Sequence, residues 1–327
     1  MTSRRQLLIA CGAGLAAMPV RAAAQQRQLR VAFLFPSASS SSTAVYIGVV
    51  KNRLRELGHV EGTNITFDSR WAGNNADLLP ALATELVALK PDVLVAVGTL
   101  AIRAAQQATT SIPIVMAPST DPVGSGFVKS LAHPGGNITG VANLYIDTSA
   151  KIVELLYALV PKARRIGILT MPRNPTHATQ LEAALIAIKT FGLTGIPVSA
   201  TSRDEIDSAF ATMAKEKCNA LVVFNEPLFS AERLRLANLT TRYRLPAIFQ
   251  SSVNVDAGGL ISYGANVDEM FRMAAGYVDK ILKGTKPENL PVEQPIRLEL
   301  VVNAKVAQAL GLKIPQSILL QATRMIE

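Results

Sequence analysis

The chain has 327 residues, 49% of them hydrophobic and only 5% aromatic, and a formal net charge of +9. The positive surplus is scattered: its longest cluster is Lys162-Ala163-Arg164-Arg165, with no basic stripe interleaved with rings, so nucleic acid is excluded as a partner. Of its two cysteines Cys11 lies in the leader described next, which leaves Cys218 alone, with no intramolecular disulfide and no cysteine-based metal site.

The leader sets the compartment. Arg4-Arg5 precedes a mostly apolar, uncharged run over 7–20 and the small residues Ala22-Ala23-Ala24, the order of a cleaved export signal. Adjacent arginines fit the twin-arginine route into the periplasm, with an ordinary secretory signal as the alternative. The apolar run is shorter than the ~20 residues that span a bilayer. Leu8-Ile9-Ala10-Cys11 has the look of a lipoprotein box that would anchor the protein at Cys11, but too little apolar sequence precedes it. Cleavage after Ala24 leaves about 300 residues, above the ~250–300 at which single cores split, so two lobes are expected.

Apolar β-rich runs then alternate with helical patterns. The run 31–35 is followed by a helix with Tyr46, Val49, Val50, Leu54 and Leu57 on one face, stopped by Gly58. Next come a strand at 65–67, a helix carrying Leu78, Leu82, Leu86 and Leu89, a strand at 93–97, a short helix after Gly98 and a strand at 112–116. The pattern restarts after Asn143 with a helix through Leu159 and strand-like runs at 165–170, 195–198, 220–224, 246–249 and 260–263. Runs apolar on both faces, in alternation with helices, predict an α/β fold of doubly wound parallel sheets, with about five strands in each of two lobes.

The remaining C-terminal sequence holds a helix ending at Gly284, a Pro-rich connection, a run at 298–302, a short helix and an extended tail. One helix and one strand bury no core alone, so they must complete the two lobes. Three crossovers follow, near Asn143, Gly264 and Val292. The expected organisation is a leader over 1–24, a first lobe over 25–143 plus 264–292, and a second over 144–263 plus 293–327.

Catalytic signatures are missing. His59, His133 and His177 have no metal-ligand spacing, and there is no nucleophile elbow, P-loop or dinucleotide fingerprint; no cofactor is expected. What remains are polar segments directly after strands, where open α/β sheets bind ligands. The segment 36–42 supplies Ser37 and Ser39; 98–101 supplies Gly98, Thr99, Leu100 and Ala101; 117–122 supplies Ser119, Thr120 and Asp121. In the second half 171–175 supplies Met171 and Asn174, and 225–227 supplies Asn225 and Glu226. Gln250 and Tyr263, at the ends of later strands, complete the candidate set. Thr99 sits where an N-cap would, so that the Leu100 and Ala101 N–H groups could hold an anion; simple capping is the plainer alternative.

The chain resembles the tryptophan/tyrosine-type ABC transporter substrate-binding proteins of the type I periplasmic-binding fold. The likeness rests on Leu54-Arg55-Glu56-Leu57-Gly58-His59-Val60-Glu61-Gly62-Thr63-Asn64-Ile65, on Asp121-Pro122-Val123-Gly124, and on His133-Pro134-Gly135-Gly136-Asn137-Ile138-Thr139-Gly140. Ile112-Pro113-Ile114-Val115, Ser262-Tyr263-Gly264, Leu282-Lys283-Gly284 and Leu290-Pro291-Val292-Glu293 extend it over the whole mature chain. It implies an exported, non-enzymatic receptor that closes on a small molecule and serves the permease and ATPase of an importer. In amino-acid-binding members a Thr-x-Ala segment takes the carboxylate, here Thr99 and Ala101, and an acidic residue, here Glu226, faces the amino group. Asn225-Glu226-Pro227 departs from the Asp-Asn pair of those members, so a plain organic acid stands beside an amino acid as ligand. A monomer is expected. A periplasmic sensing receptor on the same lobes is the alternative function. A repressor of related fold would need an N-terminal helix-turn-helix, which is absent from this sequence.

Overall fold

A computed structural model describes residues 28–39 and 41–327; the leader and the Cys11 anchor lie outside the described residues. In the first half β1 (Leu29–Phe35), α1 (Ser41–Glu56), β2 (Ile65–Trp71), α2 (Leu79–Ala88), β3 (Val93–Ala96), α3 (Gly98–Ala108), β4 (Ile114–Ser119) and β5 (Ile138–Ala142) follow one another. The strands form a parallel sheet in the order β2-β1-β3-β4-β5. The second half runs α4 (Ser149–Leu159), β6 (Arg165–Thr170), α5 (Thr176–Thr190), β7 (Thr194–Ser199), α6 (Arg203–Lys215), β8 (Ala220–Val223), α7 (Pro227–Ala231) and α8 (Arg233–Arg242). It continues with β9 (Ala247–Phe249), α9 (Ser252–Asp256), β10 (Ile261–Ala265), α10 (Val267–Leu282), β11 (Leu298–Asn303), α11 (Ala304–Ala309), α12 (Gln316–Gln321) and β12 (Arg324–Ile326).

The second sheet has seven strands, in the order β12-β11-β10-β9-β8-β6-β7, against the five expected. Its β10–β11 pair is antiparallel, so this sheet is mixed at one edge. Two strands escape the sequence reading: β5, with Gly140 in its middle, and the short β12.

Each sheet is sandwiched, as the doubly apolar strands require. In β1, Val31, Phe33 and Phe35 face α1 and α10, while Ala32 and Leu34 face α2 and α3. In the second lobe Ile166, Ile168 and Val222 meet α4 and α5, and Leu169, Leu221 and Val223 meet α6 and α8. These side chains are almost wholly buried, and each one larger than alanine contributes roughly 1.5–3 kcal/mol.

The chain passes between the sheets along three segments. It leaves β5 for α4; it leaves β10, in the second sheet, for α10, which packs on α1, β4 and β5 of the first; and it returns from Glu293, bridged to Val141, to β11. Gly264 permits the second passage, because a Cβ there would lie 2.0 Å from the Gln250 carbonyl oxygen.

Candidate functional site

The strand ends of both sheets face one another across a cleft. Its main cavity is lined from the first lobe by Phe35 and Ser37 after β1, Val97, Gly98 and Thr99 after β3, and Pro118 and Thr120 at β4. Asn143 and Tyr145 come from the first passage, and Val267, Met270 and Phe271 from the start of α10. The second lobe closes it with Asn174, Asn225, Pro227 and Ser230. The lobes touch here: a Cβ on Gly98 would stand 3.3 Å from Cγ of Pro227, and Gly98 has a φ of +76° that L side chains rarely adopt.

Aromatic rings form one wall. Tyr46 stacks on Phe271 at 4.7 Å, and Phe35 on Trp71 at 4.0 Å. Among the described residues, no carboxylate, ammonium or guanidinium side chain lines this cavity. Its titratable side chains are Tyr46 and Tyr145, whose phenols burial pushes up, so both are neutral.

Helix α3 begins at Gly98, with Val97 at the cap position and no side-chain cap bond. Thr99 therefore lies within the first turn, and the expectation of an N-cap at Thr99 is corrected. A helix starting at Gly98 commits the Ala101 N–H to the Val97 carbonyl and leaves those of Gly98, Thr99 and Leu100 free. Ala101 is instead fully buried in the core between the sheet and α2.

A smaller pocket adjoins the cavity beyond Pro227, lined by Leu100, Met171, Arg173, Glu226 and Asn74. Glu226 is 2% exposed, and Oε2 accepts a 2.8 Å hydrogen bond from Asn174 Nδ2. Burial pushes its carboxyl up to about 7, against the pull of the Asn174 bond. His177 Nδ1 accepts the Met171 N–H at 2.8 Å, which places its proton on Nε2, 3.4 Å from the Asn225 carbonyl. Burial holds His177 down at about 4, so it is neutral beside Glu226, 3.6 Å away. At the mouth of this pocket Arg173 pairs with Asp77 across the cleft, the one side chain from each lobe.

The sequence candidates thus separate. Ser37, Gly98, Thr99, Thr120, Asn174 and Asn225 meet around the cavity, and Leu100, Met171 and Glu226 in its neighbour. Six do not line either space. Ser39 is exposed, Ala101 and Ser119 are buried, and Asp121 turns back to accept the Gly124 N–H at 2.8 Å. Tyr263 packs against the second-lobe core. Gln250 is structural: Oε1 accepts from the Asn225 N–H and Gln180 Nε2, and Nε2 donates to the Tyr145 carbonyl at 3.2 Å. Sequence reasoning missed Tyr145, Asn143 and the rings, since Tyr46 and Phe271 sit on helical faces that read as core. Among the described residues no group of three or more His, Cys, Asp or Glu side chains could hold a metal, and no helix is long and apolar enough to cross a membrane.

Comparisons with known proteins agree with this geometry. Residues 31–326 match the profile of the family described as ABC transporter substrate binding protein. A tyrosine-binding protein of Clostridioides difficile is 27% identical over 261 residues, covering 80% of this chain and 74% of that one. A conserved domain protein of Vibrio cholerae superimposes with a TM-score of 0.85 at 27% identity, over 91% of this chain and 100% of its own. An ABC domain from Streptococcus pneumonia, solved in complex with L-Trp, gives a TM-score of 0.83 at 27% identity, over the same shares of 91% and 100%.

Proposed function

The chain belongs to the ABC transporter substrate-binding protein family, and from that premise we propose that the solute it captures is a small aromatic carboxylate. As a member it holds a small molecule between its lobes and delivers it to an ABC importer from the periplasmic side. The observation that carries the ligand class is the pairing, in one uncharged cavity, of stacked rings with the open first turn of α3. The ring of the ligand lies against Tyr46, Phe271 and Phe35. Its carboxylate meets the free N–H groups of Thr99 and Leu100 and the Thr99 hydroxyl, where the helix dipole favours an anion.

The relatives named for tyrosine and solved with L-Trp support an aromatic ligand. An amino acid is the second reading, favoured by Glu226 as counter-charge to an ammonium. Glu226 lies in the adjoining pocket, occupied by Asn174 and neutral below about pH 7, which supports the plain acid instead. The remaining features of the reading are a leader over 1–24 removed after Ala24 and export by the twin-arginine route. The protein works as a monomer that returns its ligand chemically unchanged. The lobes, 25–143 plus 264–292 and 144–263 plus 293–327, move as bodies about the three passages.

Calorimetry with aromatic acids tests the carboxylate site. Thr99→Val is expected to weaken binding by roughly 1–3 kcal/mol, the usual loss for a hydrogen bond to a charged group. Unchanged affinity in Thr99→Val, or equal binding of the matching carboxamide, would overturn the reading.

A further inference from the structure

We propose that Tyr145 is the specificity-determining residue of the cleft, its hydroxyl receiving a neutral hydrogen-bonding substituent, a phenolic hydroxyl by class, on the aromatic ring of the ligand. This rests on the aromatic-carboxylate reading above and adds what lies at the opposite end of the ring.

Most polar groups around the cavity are already spoken for. Asn143 Nδ2 donates to Thr120 Oγ1 at 2.8 Å, and its Oδ1 accepts the Tyr145 N–H at 3.2 Å. Asn174 donates to Glu226 and accepts from Thr176 Oγ1 at 2.8 Å. Asn225 Oδ1 accepts from Ser230 Oγ at 3.4 Å. Like the open start of α3, the Tyr145 hydroxyl stands apart: it is buried, in a cavity-lining residue 3% exposed, and has no hydrogen-bond partner among the described residues. A buried donor left unmade is costly, and native structures rarely keep one without a reason.

The backbone that carries the phenol is fixed. The Tyr145 N–H is held by Asn143, and its carbonyl accepts from Gln250 Nε2 at 3.2 Å and from Ser149 Oγ at 3.1 Å. The Gln250 amide is itself fixed by Gln180 and the Asn225 N–H. A buried, unpaired hydroxyl on an anchored backbone is a recognition element waiting for a ligand atom. The substituent is neutral, because among the described residues no ionised side chain lines the cavity to balance a charge there. Ligand hydroxyl and Tyr145 hydroxyl can each donate or accept, so a phenol satisfies the site whichever way the proton points.

The test uses two matched pairs, 4-hydroxyphenylacetate with phenylacetate and tyrosine with phenylalanine, titrated into wild type and Tyr145→Phe. Wild type is expected to favour the hydroxylated member of a pair by about tenfold or more, since a site built to bond a hydroxyl rejects the analogue lacking it. Tyr145→Phe should lose that preference and keep or improve its affinity for the unsubstituted ring, which also reports an intact site. A preference that survives in Tyr145→Phe, or one absent from wild type, overturns the role of Tyr145 while leaving the carboxylate reading standing. Equal binding of 4-hydroxyphenylacetamide and 4-hydroxyphenylacetate overturns the carboxylate reading alone. Binding of none of the probes overturns both.

Discussion

The two lobes meet the cleft with opposite surfaces. The first brings rings and uncommitted donors: Tyr46 on Phe271, the hydroxyl of Thr99, and N–H groups at the start of α3. Apart from Tyr145, in the passage between the sheets, the second brings a lattice that satisfies itself, with Asn174 on Glu226 and Gln250 between Gln180 and Asn225. Desolvating a committed group costs little when the cleft shuts, whereas the open groups gain only when a ligand arrives. The first lobe therefore grips, and the second covers.

The hardest way to break that division is to remove an aromatic side chain from each lobe. Phe271→Ala and Phe249→Ala both truncate buried rings and should each cost about 3–5 kcal/mol in denaturant unfolding. Only Phe271→Ala should also abolish ligand binding in calorimetry, because Phe249 lies in the second-lobe core away from the cavity. Equal loss of affinity in both variants would end the division into gripping and covering lobes.

Glu226 sharpens the comparison through pH. Its folded pKa of about 7, against an ordinary 4.5, means the folded state prefers the protonated carboxyl. That contribution is fully present below pH 4.5 and is lost as pH rises through 7, amounting to roughly 3 kcal/mol for a shift of this size. Urea unfolding at pH 4.5 and pH 8 should show wild type losing stability relative to Glu226→Gln by about that much. Parallel pH profiles for the two proteins would show that Glu226 is ionised and paired in the folded lobe.

The smallest effect belongs to Asp77 and Arg173, which join the lobes at the mouth with side chains 69% and 47% exposed. Asp77→Ala should speed ligand release by no more than the ~0.2–1 kcal/mol of an exposed pair, and high salt should erase the difference. Stopped-flow release at low and high salt measures it. A tenfold faster release that persists in salt would make the contact a principal clasp.

Much of the fold is legible in the sequence because parallel strands covered on both faces read as unbroken apolar runs, as at 93–97 and 220–224. The strand β5 is not: Ile-Thr-Gly-Val-Ala follows a Pro-Gly-Gly-Asn turn and carries a glycine at φ +131°. Nor is the direction of β11, since an apolar run is silent about its partner's orientation. In the site, strand ends pointed to Ser37, Thr99, Asn174 and Asn225, but not to Tyr145, which stands in a passage without a strand of its own. Gln250 was legible by position only; its role depends on Tyr145 and Gln180, distant in sequence.

The contact of Pro227 with Gly98 has a temporal meaning. With walls drawn from both lobes and meeting there, departure of a bound molecule is expected to depend on the lobes parting. Residence time then has a floor set by the frequency of opening, a property of the three connecting segments. Two ligands of different affinity would differ in how often an opening ends in escape, while neither could leave faster than the gate moves.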